Sequence, residues 1–310
     1  MKLLFFAFMI TTTVQIASAG TIVVTIPDFK PIAESIAGNE FEVLALIPQA
    51  SDPHAFTLSA DDITTLRKAD LIVLANSNFF EFEAKIAEEF TDLVDFEDYN
   101  VKLYDFPGYR QNLHGYWMLP ENAIEIARAI KEKLVEKYPE KREIFDRNYH
   151  VFVDRVKEAA KEAKKITSNE RGKKFVAMVP GVCYIARTFN ITISAVIISE
   201  GSGIASGKEI AEIRNKLKSG EYRGIIVPEF MKNGKGEELA RELVKNTNAK
   251  IAWVKFSQGD SAYDTMLISN AARIAYSSSE STSESKTLLY LLGILSVIEA
   301  LIIVYLRVGM

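Results

Sequence analysis

The sequence predicts an α/β protein with two lobes, each built on a parallel four-stranded sheet, and one long helix between them. Short β-branched runs alternate with helical patterns in two successive series. This alternation is typical of parallel sheets that are covered by helices on both faces. Between the two series, the stretch 140–166 contains no Gly or Pro and places apolar residues at helical spacing.

The first series predicts the first lobe. Four β-branched runs are predicted as strands, at 21–26, 43–47, 71–75 and 101–104. Three helical patterns separate them, near 31–37, 60–68 and 81–90. Ser59, with Asp62 three residues later, is a helix-start signature for the second of these helices.

The second series predicts a similar lobe. Its four strands are predicted at 174–179, 192–198, 224–227 and 250–254. The helical patterns lie near 182–189, 208–218, 236–246 and 262–276. We therefore expect two Rossmann-like lobes, 20–139 and 168–276, which is a reasonable division for a chain of 310 residues.

The connecting segment 140–167 is predicted to be one continuous, rigid helix. A flexible linker would instead be rich in Gly or Ser. Such a helix would hold the lobes at a nearly constant separation, so small lobe rotations are expected rather than wide hinge closure. His150 lies inside this helix, where we expect it to be a surface or packing residue.

The N-terminal end is apolar. Lys2 is followed by an uncharged stretch at 3–17 and by Ala-Ser-Ala before Gly20. A basic start, a short apolar stretch and a small-residue exit are typical of a secretory signal peptide. The segment 1–19 is therefore predicted to be cleaved after Ala19, and the alternative is an uncleaved anchor helix.

The C-terminal end has a second apolar stretch. Segment 287–306 contains a single charge, Glu299, and is long enough to cross a bilayer as a helix. The preceding segment, 277–286, is a polar tether rich in Ser and Glu that cannot bury a core. We expect a C-terminal transmembrane helix that holds the body of the protein outside the cell.

Composition excludes several functional classes. A net charge of −4 argues against a nucleic-acid binder, which needs a basic face. A single cysteine, Cys183, excludes a disulfide scaffold, a Cys-based zinc cluster and a CxxC redox site.

The candidate ligands follow the predicted strands, because ligands of open α/β sheets bind outside the carboxyl ends of the strands. His54 and His114 follow the second and fourth strands of the first series. Glu200 and Asp260 follow the second and fourth strands of the second series. Two imidazoles and two carboxylates suit a divalent cation such as zinc or manganese. The other interpretation of each residue is an ordinary surface side chain.

Two other functions compete with metal binding. The Gly-containing loop 200–209 suggests a nucleotide-binding α/β enzyme. However, Ser202 stands where a P-loop requires Gly, and Glu209 stands where it requires Ser or Thr. The sequence also contains no GxSxG elbow and no HExxH helix, so we expect no enzyme. A receptor for an organic or oxyanion ligand would need Arg and aromatic side chains in the cleft. Four residues could supply them: Arg110, Tyr116, Trp117 and Arg187.

Several short motifs recur in one known family. They are IVVTIP from Ile22, LIP from Leu46, DPH from Asp52, KADLIV from Lys68, PENA from Pro120 and GDS from Gly259. With them, the sequence resembles the metal-binding solute-binding proteins of zinc and manganese ABC importers (cluster A-I) over nearly the whole body. The resemblance implies two α/β lobes on a rigid helix, a metal ion in the cleft between them and no catalysis.

The resemblance assigns the ligand positions one by one. His54 and His114 stand at the first and second ligand positions. Val179 occupies the place of a third-ligand His, whereas manganese-type members use a Glu after the next strand, where Glu200 lies. The fourth ligand is an Asp in the last strand-end loop, which is shortened here, so that Asp260 could substitute or could cap the next helix.

The resemblance also implies the partners. We expect an exported receptor that captures Zn²⁺ or Mn²⁺ and delivers it to an integral-membrane ABC permease, with ATP hydrolysed by a separate cytoplasmic ATPase. We expect a monomer on the extracellular face of the cell membrane, anchored by the C-terminal helix. Both metals stay open, because the His-rich loop of many zinc-specific members is absent.

Overall fold

The first lobe contains a parallel four-stranded sheet. A computed structural model describes residues 20–49, 53–198, 203–256 and 262–278. The strands of the first sheet are β1 (Thr21–Val24), β2 (Glu42–Ala45), β3 (Leu71–Val73) and β4 (Leu93–Val94). Their order is β2-β1-β3-β4, and every pair is parallel. The central strands are buried on both faces, as expected for a sheet that helices cover on each side.

The second lobe repeats this arrangement. Its strands are β5 (Lys174–Ala177), β6 (Thr192–Val196), β7 (Gly224–Pro228) and β8 (Lys250–Val254). The order β6-β5-β7-β8 is the same as in the first lobe, and all pairs are parallel. The predicted pair of similar α/β lobes is therefore confirmed.

Nine helices of the described residues connect and cover the strands. They are α1 (Lys30–Ala37), α2 (Ala60–Leu66), α3 (Glu81–Glu89), α4 (Pro120–Lys137), α5 (Arg142–Ile166), α6 (Val182–Thr188), α7 (Gly207–Lys218), α8 (Lys235–Val244) and α9 (Tyr263–Ala275). Ser59 caps α2 in a reciprocal capping box with Asp62, as the sequence predicts.

The connecting helix α5 is continuous over 25 residues and packs against both lobes. On the first-lobe side, Asn148 donates to the main-chain oxygen of Ile36 at 3.0 Å. On the second-lobe side, Arg155 forms an ion pair of 2.9 Å with Asp264 of α9. His150 lies on the exposed face of α5, where the sequence predicts a surface or packing residue.

The predicted fourth strand of the first lobe, 101–104, is wrong. The fourth strand is β4, and 101–104 forms no strand. Its main-chain groups form hydrogen bonds with side chains instead. The main-chain N–H group of Lys102 donates to the Asn122 side-chain oxygen, and the Asn122 side-chain NH₂ group donates to the main-chain oxygen of Lys102. The N–H group of Tyr104 donates to the Tyr184 hydroxyl at 3.1 Å. Helix α4, which carries Asn122, is a further element that the sequence analysis missed.

The predicted signal peptide at 1–19 and transmembrane helix at 287–306 lie outside the described residues. The tether 277–286 is described only at 277–278. Within the described part of the chain, none of the helices combines the length and the apolar character that a membrane span requires.

A buried ion pair ties together the base of the second lobe. Lys250, at the start of β8, is 2% exposed. Its Nζ donates to Glu170 Oε1 at 2.8 Å and to the main-chain oxygen of Ile274 at 2.7 Å. Since Glu170 lies in the turn after α5 and Ile274 lies near the end of α9, the Lys250 ammonium group links β8 to α9 and to the turn that follows the connecting helix.

Replacing Lys250 with Met is expected to lower the free energy of unfolding by about 3 kcal/mol, because the buried charge of Glu170 would keep only two longer contacts, at 3.5 and 3.7 Å, with half-exposed basic side chains. Urea unfolding measures this loss. Lys174→Met is the control, since the ion pair of Lys174 with Glu221 is exposed and such pairs contribute about 0–1 kcal/mol. Equal losses in the two variants would contradict the assignment.

Candidate metal centre

Two imidazoles meet at the carboxyl edge of the first-lobe sheet. His54 lies in a short 3₁₀ turn, Pro53–Ala55, after β2. His114 lies just before a second 3₁₀ turn, Tyr116–Met118, which leads into α4. The ring centres of His54 and His114 are 5.7 Å apart, with a tilt of 42° between the ring planes.

This separation fits two ligands of one cation. With metal–nitrogen bonds of about 2.0–2.1 Å and tetrahedral angles, the centres of two coordinating imidazoles are about 5 Å apart. Nε2 of His114 is shielded from solvent, whereas the His54 residue is exposed. The pair therefore has one half-buried member, His114, and one member, His54, that an incoming ligand can reach.

Aromatic rings surround the two imidazoles. The Phe79 ring is 5.2 Å from that of His54 and 4.9 Å from that of His114, edge-on to both. Phe80 lies 5.0 Å from His54, and Tyr109 lies 5.7 Å from His114. These contacts restrict the rotation of both imidazoles, and they exclude water from one side of the pair.

Two carboxylates hold the loop that carries Phe79 and Phe80. Glu83 is buried and accepts from the Thr25 hydroxyl and from the N–H groups of Ala75 and Asn76, at 2.9 and 2.6 Å. Asp95 accepts from the N–H group of Ser77 at 3.1 Å and from its hydroxyl. Burial raises the pKa of Glu83 to about 7, although its hydrogen bonds counteract part of that rise.

The second lobe contacts the histidine loop directly. Gly115 has a φ of +69°, and a Cβ atom there would lie 2.7 Å from the main-chain oxygen of Gly181. Only Gly combines this backbone conformation with such a close approach. Val179, in the loop after β5, is therefore held near this contact, although its side chain has no metal-binding atom.

A second interlobe contact lies behind Trp117. Its main-chain oxygen accepts from the Tyr263 hydroxyl of α9 at 2.9 Å. Asp28 lies in the 3₁₀ turn after β1 and has its Oδ1 shielded from solvent. Burial raises the pKa of Asp28 to about 7, and its interaction with the Trp117 side chain offsets only part of the rise.

Glu200 and Asp260 lie outside the described residues, in the segments 199–202 and 257–261. Their flanking residues are described: Ile198 pairs with Ile204 across the first segment, and Phe256, before the second, lies against Gly181. Among the described residues, no group of three or more His, Cys, Asp and Glu side chains could hold a metal ion.

Sequence reasoning missed the supporting residues. Phe79 and Phe80 follow β3 at the same sheet edge as the histidines, so their position after a strand was an available signal. Asp28 follows β1 in the same way. The contacts of Asn112, two residues before His114, extend to the second lobe and have no local sequence signal.

The fold and the histidine pair define a two-lobed α/β protein with two adjacent imidazoles at the edge of one sheet. The family model described as zinc-uptake complex component A, periplasmic (ZnuA), matches residues 22–276. The chain belongs to this family, and the resemblance inferred from the sequence motifs is confirmed.

Two relatives match most of this chain in sequence. The zinc-binding protein AdcA of Streptococcus pyogenes serotype M1 is 24% identical over 276 residues, which cover 80% of this chain and 53% of AdcA. This chain therefore matches only about half the length of AdcA. The metal ABC transporter substrate-binding lipoprotein ScbA of Streptococcus cristatus is 24% identical over 266 residues, covering 76% and 81% of the two chains.

Solved structures share the two-lobed fold. A crystal structure of ZnuA has a TM-score of 0.70 at 22% identity and covers 84% of this chain and 99% of its own. The Mn²⁺ complex of FpvC from Pseudomonas aeruginosa has a TM-score of 0.68 at 18% identity and covers 83% and 97%. At these identities the likeness establishes the fold.

Asp28 is expected to make stability depend on pH. Because its pKa of about 7 in the folded protein exceeds the ordinary value of about 3.9, the folded state binds more protons between these values. The free energy of unfolding should therefore fall as the pH rises from about 4 to about 7. Glu83 contributes in the same direction.

Asp28→Asn should remove the Asp28 part of this fall. At pH 8 the variant is expected to be more stable than the parent by on the order of a few kcal/mol, and the two should converge near pH 4. Urea unfolding across this range measures the difference, with Asp154→Asn on the exposed face of α5 as the control. An unchanged slope in Asp28→Asn would contradict the interpretation.

Proposed function

We propose that this protein is an exported receptor that captures Zn²⁺ or Mn²⁺ in the cleft between its lobes. The observation that carries the proposal is the pair of imidazoles at the sheet edge that faces the second lobe. The ring centres of His54 and His114 are 5.7 Å apart. Imidazole nitrogen is a ligand that both zinc and manganese accept in proteins. The relatives named for zinc and the Mn²⁺ complex of FpvC support the same two ions.

In this proposal, Glu200 and Asp260 complete the site. Two neutral imidazoles leave the charge of a divalent cation unbalanced, and an unbalanced charge is costly in a cleft shielded from water. Two carboxylates from the second lobe would neutralise it. Asp264 is a poorer candidate than Asp260, because its carboxylate already pairs with Arg155 at 2.9 Å.

Delivery to an ABC permease, with a separate ATPase, is the second part of the proposal. It is supported by family membership and by the printed name of ScbA as an ABC transporter substrate-binding lipoprotein. We further propose that the receptor acts as a monomer on the extracellular face of the membrane, anchored through the C-terminal segment 287–306, and performs no covalent chemistry.

The competing functions have less support from the side chains. Ser206, in the Gly-containing loop, caps α7 through a capping box with Glu209, so both side chains already have a structural role. Tyr116 and Trp117 are 1% and 6% exposed, so they belong to the core. Arg187 stacks 3.3 Å from the Tyr104 ring centre, which occupies it in packing.

His54→Ala is expected to lower the affinity for zinc and manganese by at least tenfold, because it removes one of two first-lobe ligands. Isothermal titration calorimetry on the metal-free protein measures the affinity, and metal analysis of protein purified without chelator gives the stoichiometry. His150→Ala is the matched control, since His150 is exposed on α5. Unchanged binding in His54→Ala, or binding of an organic ligand without metal, would reject metal capture.

Glu200→Gln and Asp260→Asn separately test the acidic ligands. Each substitution keeps the side-chain volume and removes one negative charge, so each is expected to weaken binding of a divalent cation by tenfold or more. Glu238→Gln, on the exposed surface of α8, controls for the loss of one charge in the same lobe. A carboxylate whose amide variant binds as tightly as the control is excluded from the ligand set.

A further inference from the structure

One buried amide links a histidine of the metal site to the opposite lobe. Asn112 is 1% exposed. Its Oδ1 lies 3.0 Å from both the main-chain nitrogen and the Nδ1 atom of His114. Its Nδ2 donates to the main-chain oxygen of Pro180 at 3.0 Å, and its own main-chain oxygen accepts from the Tyr184 hydroxyl at 2.7 Å.

The chemistry of these partners fixes the orientation of the amide. A main-chain N–H group can only donate, so the Asn112 atom that faces the nitrogen of His114 must be the oxygen. A main-chain carbonyl oxygen can only accept, so the atom that faces Pro180 must be the NH₂ group. Flipping the amide would break both contacts.

The fixed amide in turn fixes the imidazole. Since Oδ1 of Asn112 is an acceptor, Nδ1 of His114 must carry the proton that lies between them. The neutral ring then has its lone pair on Nε2, which is the form that can bind a metal through that atom. A second hydrogen bond of this kind commonly orients a metal-binding histidine.

We propose that Asn112 is a positioning residue that fixes the tautomer of His114 and makes it depend on contact between the lobes. The metal part of this inference rests on the proposed function. Pro180 and Tyr184 belong to the second lobe, in the loop between β5 and α6 and in α6. A relative movement of the lobes at this point would release the Asn112 amide and free the imidazole to rotate or change tautomer. Ion release is thereby coupled to lobe separation without unfolding of α5.

The test uses the full chain, first in its metal-free form. Nitrogen-15 NMR of the imidazoles, at a pH where they are neutral, reports the tautomer of each histidine. In the parent protein, His114 is expected to be protonated almost entirely at Nδ1. In Asn112→Ala the acceptor is lost, so a mixture of both tautomers is expected. A His114 protonated at Nε2 in the parent would overturn the proposal without any variant.

Metal affinity is the second readout, with zinc and manganese each used alone. Asn112→Ala is expected to weaken binding by about 10–100-fold, the usual effect of removing such a partner. Asn112→Asp keeps the acceptor towards His114, so it should restore the Nδ1-protonated form, but it has no donor for the Pro180 oxygen, so its metal affinity is expected to stay below that of the parent. Asn148→Ala removes a different hydrogen bond, from a side-chain amide to a main-chain oxygen, and should change neither the tautomer nor the metal affinity.

The outcomes separate this inference from the proposed function. A changed tautomer in Asn112→Ala with unchanged metal affinity would overturn the positioning role while leaving metal capture intact. An unchanged tautomer would overturn it as well. If the parent protein binds neither metal, the proposed function fails, whereas the tautomer measurement still decides whether Asn112 fixes the imidazole. Should Asn112→Ala fail to fold, the parent spectrum and Asn112→Asp give the decision.

Discussion

Direct contact between the main chains of two loops, 112–115 in the first lobe and 179–181 in the second, determines the geometry of the cleft. A Cβ atom at Gly115 would lie 2.7 Å from the oxygen of Gly181, so the backbones touch without side chains between them. His114 directly precedes this contact, and Pro180 accepts from Asn112 within it. The position of the imidazole is therefore set by both lobes, although the residue belongs to one of them.

The long helix α5 is expected to limit how the two lobes can move, so the contact between the loops has more influence on the site. Helix α5 packs along both lobes, with Arg155 pairing with Asp264 on one side and Asn148 bonding to α1 on the other. We expect a helix packed in this way to permit little change in the distance between the lobes. Small displacements at the loops then have the largest effect on a bound ion, because hydrogen bonds weaken steeply when donor and acceptor lose their alignment.

Most of the fold follows from periodicity, and the exceptions have physical reasons. The connecting helix is visible as an uninterrupted apolar stripe, and the buried strands are visible as β-branched runs. Strand β4 has only two residues, Leu93 and Val94, and so carries no periodic signal. The run at 101–104 alternates like a strand, but its main chain is held by the Asn122 side chain, which a local pattern does not reveal.

Part of the candidate site could likewise be predicted from the sequence, and part of it could not. His54 and His114 could be selected from residue type and position, because few side chains ligate transition metals and strand ends meet at one edge. His114 was placed after the wrong strand, yet it reaches the same edge through the irregular segment that follows β4. The partners of Asn112 lie 68 and 72 residues away, so its role depends on the packing of the two lobes and could not be read from its neighbours.

The acidic side chains near the two histidines are engaged within the first lobe. On the histidine side, Glu83 is engaged by main-chain N–H groups and Asp95 by Ser77, while burial raises the pKa of Asp28 to about 7. These acids support the fold. In the proposed function, the first lobe contributes two imidazoles to the cation, and Glu200 and Asp260 of the second lobe contribute the balancing negative charge. An ion bound in that way would crosslink the lobes, and it would be held only while their loops stay in contact.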